Sequence, residues 1–477
     1  MAERQVAVVG AGPAGLAAAL AAADGGAEVT VVDLGALPGG QYLRQPAVAG
    51  LPPARHPAAA EALLDRTRDH PRITFLLGHQ VWQATADPTP HLDNRGGPGL
   101  TLRLLGPVGP VTLHPSVLVL APGGHDRVVP FPGWDLPGVV TAGAAQALAK
   151  GQGVLVGRRV LVAGTGPFLL TVAAGLAAAG AEVAGVAEAS RISRWGRHLG
   201  AIAGVPGKIG EAFRYLGALR RRRIPIWSGE AVTMVEPYGD RLRATLRRVD
   251  AGWRPGPVTR TVAVDAVCVG HGFTPSVELA VALGCATHHD PADGSLVVDV
   301  DDNQASTVPG VFVAGEATGV GGADVARHEG TLAGLAVLHR LGRLDTAAYE
   351  RAAGPLRRRI DRGRRFATAL HRVYPVPDGW THWLRADTVL CRCEEVTVGR
   401  TRSDIAAYGI DDLRALKLVT RIGMGRCQGR ICGRAAACLL GQVSGRSQPL
   451  DTFANRHIVM PVPLGTVAEE GTTRDSS

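Results

Sequence analysis

Short β-branched runs alternate with Ala/Leu-rich stretches along this chain. Gln5–Val9 is apolar after its first residue, Pro13–Ala23 is built of helix formers, and Glu28–Val32 is apolar again. Residues 4–33 therefore predict strand, Gly-rich turn, helix, strand. The same order returns between Arg159 and Glu188, with a strand at Val160–Ala163, a turn at Gly164–Gly166, a helical run, and a strand at Glu182–Ala187. Two such openings predict two nucleotide-binding folds related as internal duplicates. Val117–Ala121 predicts a strand that leaves the first fold, and Val262–Val269 and Gly310–Ala314 predict strands on which the chain returns to it.

Residues 341–385 are rich in Arg, Asp and Ala without a strong apolar period and predict a surface helix and linker. A compact segment follows, and the polar end from Glu469 to Ser477 predicts disorder. The fold class is α/β, with two Rossmann-like domains and a small helical domain. The expected division is residues 1–125 and 266–340 for the first fold and 126–265 for the second. Residues 341–385 form the linker, 386–447 the helical domain and 448–477 the tail.

Composition narrows the function. The formal charge is +9, but all but three of the 51 basic residues are arginines, and aromatic residues make up only 4%. No stretch interleaves aromatics with arginines as a base-stacking surface would, so a nucleic-acid partner is not expected. No uncharged apolar run reaches bilayer length, so no membrane span is expected. Seven cysteines, none before Cys268 and five between Cys391 and Cys438, suit a metal or cluster site in a reducing cytoplasm better than a disulfide framework.

Gly10-Ala11-Gly12-Pro13-Ala14-Gly15 stands after a strand and opens a helix. In that context Gly10 permits the tight turn, Gly12 leaves room for a pyrophosphate, and Gly15 lets helix and strand pack closely. Asp33, at the end of the next strand, is placed for a ribose hydroxyl. The second turn, Gly164-Thr165-Gly166-Pro167-Phe168-Leu169, carries Leu in place of the third small residue. A bulky Leu169 is expected to push its helix off the strand. Glu188 is a candidate ribose acceptor that would disfavour a 2′-phosphate. NAD, ATP and an empty scaffold all remain open for this fold.

Cys391-Arg392-Cys393 and, 33 residues on, Cys427 with four residues to Cys432 are the strongest chemical signal. Each pair can bring two thiolates to one iron of a [2Fe-2S] cluster, whereas a structural zinc favours C-x2-C spacing. Arg392, Arg421, Arg426 and Arg430, with amides at Gly423, Gly425, Gly429 and Gly433, are expected to offset the cluster's negative charge. Cys268, Cys285 and Cys438 are expected to be packing residues.

With Gly39-Gly40-Gln41, Ala121-Pro122-Gly123 and Gly315-Glu316, the chain resembles the thioredoxin-reductase and glutathione-reductase superfamily. That resemblance implies FAD held by Gly10, Gly12, Pro13, Ala14, Gly15, Asp33, Gly40, Gln41, Ala121, Gly123, Gly315 and Glu316. Gly164, Gly166 and Glu188 would serve the second nucleotide. Pro122 stands where that superfamily has Thr, and Glu316 where it has Asp. The absence of any early cysteine pair excludes its disulfide relay. The cysteine segment resembles the bacterioferritin-associated-ferredoxin-like domain, with Cys391, Cys393, Cys427 and Cys432 as ligands. In this domain order the chain resembles the FAD/[2Fe-2S] components of bacterial amino-acid dehydrogenase complexes. Those are the alpha-type flavoproteins of opine oxidase, of hydroxyproline and proline dehydrogenases, and of hydrogen cyanide synthase.

What this implies is a cytoplasmic electron-transfer subunit. Oxidation of an opine, proline, hydroxyproline or glycine would fall to a separate amine-oxidase-like flavoprotein, sometimes with a small ferredoxin-like subunit present. No catalytic acid, base or nucleophile is assigned. A self-sufficient NADH:acceptor flavin reductase and a non-enzymatic cluster-bearing scaffold are the alternatives.

Overall fold

The computed structural model describes residues 5–51, 56–90, 98–198, 200–201 and 204–472. The chain packs as two units: Met1–His125, Thr274–Ala367 and Ala454–Ser477 form one, and Asp126–Phe273 with Thr368–Phe453 form the other.

In the first unit five parallel strands lie in the order Val311–Val313, Val117–Leu120, Gln5–Val9, Glu28–Asp33, Ile73–Leu77. Successive side chains on the central strand part company: Val6 and Val8 enter one core, Ala7 and Val9 another. Both faces of the sheet are therefore covered, which is why its strands read as unbroken apolar runs. On one face the helices Pro13–Asp24 and Ala323–Arg340 pack through Leu16, Leu20, Leu332 and Val337. On the other lies the antiparallel sheet Gln80–Pro90, Pro98–Leu105, Pro110–Leu113, which contributes Leu102 and Leu104. Most of the expected tail, residues 448–477, returns to this unit from Ala454 on. Val459 N donates to Trp82 O at 2.8 Å, and the chain is helical over Leu464–Thr472. Residues 473–477 lie outside the described residues.

The second unit repeats the parallel layout, in the order Ile226–Ser228, Glu182–Glu188, Arg159–Gly164, Ala266–Gly270, Val139–Thr141. The run read as one strand returning to the first fold is two strands. Pro255–Val264 ends an antiparallel sheet, the backbone turns at Asp265, whose Oδ2 accepts from Arg159 N at 2.8 Å, and Ala266–Gly270 then pairs with Arg159–Gly164. Residues 266–273 thus belong to the second fold.

The cysteine segment is not a separate domain either. Leu390, Cys391, Ile405, Leu413, Leu416, Ile422, Cys432, Ala436 and Leu440 share one core with Leu161, Ala163, Val267 and Val269 of the second sheet. Its helices are Val398–Tyr408, Leu413–Thr420 and Gly433–Ser444. Asp412 caps the second of these by accepting from Arg414 N and Ala415 N at 2.8 and 2.9 Å.

The expected linker is the 28-residue helix Thr346–Val373. Its apolar residues are sparse but spaced for one face: Tyr349, Ala353, Ile360 and Ala367 are all buried.

Close helix contact in the first unit depends on Gly330, where a Cβ would stand 2.0 Å from Ala14 O. Gly330→Ala is expected to destabilise this unit by about 1–3 kcal/mol through overpacking. Gly175→Ala, in the helix Phe168–Ala178 where a Cβ would have no neighbour within 4 Å, should stabilise by about 1 kcal/mol. Urea unfolding followed by circular dichroism measures both shifts.

Candidate functional site

The turn after the first strand is shaped by what it cannot hold. Gly10 has φ 103°, and a Cβ there would stand 2.1 Å from Ala121 O; at Gly15 it would stand 1.7 Å from Gly10 O. At Gly12 it would meet nothing within 4 Å, so the turn is tight behind and open in front. Pro13 and Ala14 begin the helix, whose unpaired N–H groups and positive dipole end favour an anion. Asp33 accepts from Ala11 N and Gly35 N, both at 2.6 Å.

The other first-fold residues converge on the same turn. Gly39 N donates to Ala11 O at 2.7 Å, and a Cβ on Gly40 would stand 2.9 Å from Gly12 Cα. Ala121 N donates to Val9 O, and a Cβ on Gly123 would meet open space. Gln41 turns away, its Oε1 accepting from Arg44 Nη2 at 2.6 Å. Gly315 lies against Ala14 and its N donates to Glu329 Oε2 at 2.9 Å. Glu316 Oε1 accepts from Gly322 N at 2.9 Å, and burial holds this carboxyl above the ordinary range.

Glu329 is fully buried and pairs with Arg364 at 2.5 Å; Arg364 also donates to Gly319 O and Thr318 Oγ1. Removing one partner of such a pair would leave a buried charge alone, so the pair fixes the Gly315–Thr318 turn. Neither residue was apparent in the sequence, because each sits in an otherwise ordinary helix far from any motif.

The second turn repeats this stereochemistry. A Cβ on Gly164 would stand 1.7 Å from Gly270 O, while at Gly166 it would meet nothing within 4 Å. The Leu169 side chain is buried beside Gly270, whose missing side chain makes the room. Glu188 differs from Asp33 in being buried, with Oε1 accepting from Thr165 Oγ1 and Ser190 N and Oε2 from Gly166 N, all at 2.8 Å. Burial pushes its carboxyl up to about 7 in spite of those bonds.

The four cysteines of the two pairs meet. Cys432 is within hydrogen-bond reach of Cys391 and of Cys427, and Cys393 of Cys427, so the sulfurs form one chain. Cys391 also accepts from the amides of Gly423, Glu394 and Cys393, and Cys427 from those of Ile431 and Gly429. The hydrogen bond with Cys432 is the largest influence on both, bringing Cys391 down to about 6 and Cys427 to about 5. Cys393 is exposed and Cys432 buried. Among the described residues no three His, Cys, Asp or Glu side chains meet as a site for a single ion.

Gly425 permits the packing, since a Cβ there would stand 2.1 Å from Cys393 Cβ. The arginines behave otherwise than expected. Arg421 pairs with Glu394 at 2.7 Å, Arg426 is exposed, Arg430 donates to Cys427 O, and Arg392 lies over the Trp134 ring. Cys268 is buried in an apolar strand, which raises its thiol to about 12 and fits a packing role.

Residues 4–330 match the pyridine nucleotide-disulphide oxidoreductase family. The chain belongs to that family. It is an FAD-dependent oxidoreductase. It is 33% identical to the HcnB component of hydrogen cyanide synthase from Pseudomonas aeruginosa over 470 residues, 98% of each chain. The A-type component of opine oxidase from Rhizobium meliloti is also 33% identical, covering 97% of this chain and 98% of that one. Among solved structures, L-proline dehydrogenase from P. horikoshii shares the fold, with TM-score 0.65, 18% identity, and coverage of 97% of this chain and 79% of that one. Among the described residues of this oxidoreductase no helix is long and apolar enough to cross a membrane.

Because the folded-state pKa of Glu188 is raised, the stability it contributes is present below about pH 4.5 and is lost as pH rises through 7. The stability of the wild type relative to Glu188→Gln should therefore fall over this interval, by at most about 3 kcal/mol, and be level above it. Urea midpoints for both proteins between pH 4.5 and 8 test this; a difference independent of pH contradicts it.

Proposed function

We propose that this chain is the FAD- and [2Fe-2S]-containing electron-transfer subunit of a complex that oxidises an amino acid or secondary amine. The observation that carries the reading is the meeting of four cysteine sulfurs in a chain whose other half is a flavoprotein fold. Full-length similarity to components named for opine oxidase and hydrogen cyanide synthase supports the amine or amino-acid class.

When bound, FAD converts a two-electron oxidation into single-electron steps and the cluster carries one electron at a time. The open face of Gly12 and the N-terminus of the Pro13–Asp24 helix would receive the FAD pyrophosphate, and Asp33 the ribose. Glu316, one carbon longer than the Asp usual at its position, would accept from the ribityl chain. The Glu329–Arg364 pair holds the turn that carries it. Cys391 with Cys393, and Cys427 with Cys432, would hold two irons. The amides at Gly423 and Gly429 already point at sulfur and would offset the negative charge of the cluster.

The second nucleotide fold acts as the scaffold of the cysteine segment. Their common core supports this, as does the burial of Glu188, where Asp33 stays partly accessible.

Purified alone, the chain should reduce an artificial dye with proline, an opine or glycine slowly or not at all. Co-purified with an amine-oxidising flavoprotein partner, it should support that reaction. Full-rate turnover by the lone chain contradicts the proposal, and rapid flavin bleaching by NADH alone would assign an NADH:acceptor reductase instead.

A further inference from the structure

Cys391 ends the strand Val389–Cys391, with Arg392 and Cys393 in the turn that follows, and a segment that is to hold two metal ligands needs something rigid to stand against. In this unit the support comes from the Pro/Gly-rich stretch after the first fold. Trp134 is buried, and its Nε1 donates to Val389 O at 2.6 Å, two residues before Cys391. One residue after Cys391, the Arg392 guanidinium lies 4.2 Å from the centroid of the same indole. It also donates to the carbonyls of Trp134 and Val139. One tryptophan thus holds the chain on both sides of Cys391, through its N–H to the Val389 carbonyl on one side and through its ring and carbonyl to the Arg392 side chain on the other. Arg392 is the right residue for such a contact, because a planar guanidinium stacks and forks together whereas an ammonium does neither.

We propose that Trp134 and Arg392 are the positioning residues of the metal centre, so that the C-x-C pair is held in register by residues of the second fold. The inference rests on the reading that the four cysteines hold a [2Fe-2S] cluster. It gives Arg392 a role different from the charge compensation expected of an arginine between two thiolates.

Full-length wild type, Trp134→Phe, Arg392→Lys and Arg392→Ala would be isolated without oxygen. Iron and acid-labile sulfide content, the rate of iron loss to a chelator, the electron paramagnetic resonance spectrum after dithionite, and the unfolding temperature would be recorded. Trp134→Phe keeps an aromatic ring and loses the N–H, so it should unfold close to the wild-type temperature while its reduced-state g-values shift. Arg392→Ala should lose iron about tenfold faster than the wild type, a typical consequence of removing outer-sphere support. Arg392→Lys should not restore the wild-type rate, since charge alone is not what is required. If the wild type holds two irons and all three variants match its spectrum and its rate of iron loss, this inference fails and the cluster reading stands. A wild type that holds a single zinc, or no metal, overturns both.

Discussion

Four cysteine sulfurs joined in one chain, Cys391 to Cys432 to Cys427 to Cys393, form an arrangement that the protein must be built to sustain. Cys391 and Cys427 are both drawn toward the thiolate by their contact with Cys432 and by amides around them. Two anionic sulfurs pressed together repel unless something positive stands between them. On the proposed reading, bound iron would supply that charge; Gly425 leaves room at Cys393, and amides from two loops point at sulfur. The segment draws on a core larger than its own, since its three helices are short and their apolar faces merge with the second sheet. Below about 70–80 residues such a core rarely suffices alone.

The duplication gives the second fold its use. Both turns keep a glycine that backs onto a carbonyl and a second glycine that faces open space. They differ in the acid. Asp33 binds two amides and stays partly accessible, whereas Glu188 is enclosed by a hydroxyl and two amides. Both acids accept amides of their own turn, but Glu188 is the more deeply buried, and desolvation there favours the neutral acid. The sheet behind this turn shares its core with the cysteine segment.

Much of this could be read in advance. The two βαβ openings, the strands Val117–Leu120 and Val311–Val313 and the gathering of the cysteine pairs follow from short-range rules of spacing and composition. What escaped depends on contacts distant in sequence. The assignment of Ala266–Gly270 turns on its partner strand 106 residues earlier, where Asp265 meets Arg159. The room that Leu169 occupies is left by Gly270, about a hundred residues away. The helix Thr346–Val373 hid its apolar face among arginines, one of which, Arg364, closes the Glu329 pair. Pairings of this kind leave no local periodicity.

The coexistence of a flavin and an iron-sulfur centre in this one polypeptide can be counted directly. Anaerobic titration of the isolated chain with dithionite, followed by visible absorbance, should consume roughly three electron equivalents per chain, two at the flavin and one at the cluster. Uptake of only two, with a spectrum of flavin alone, would contradict the account.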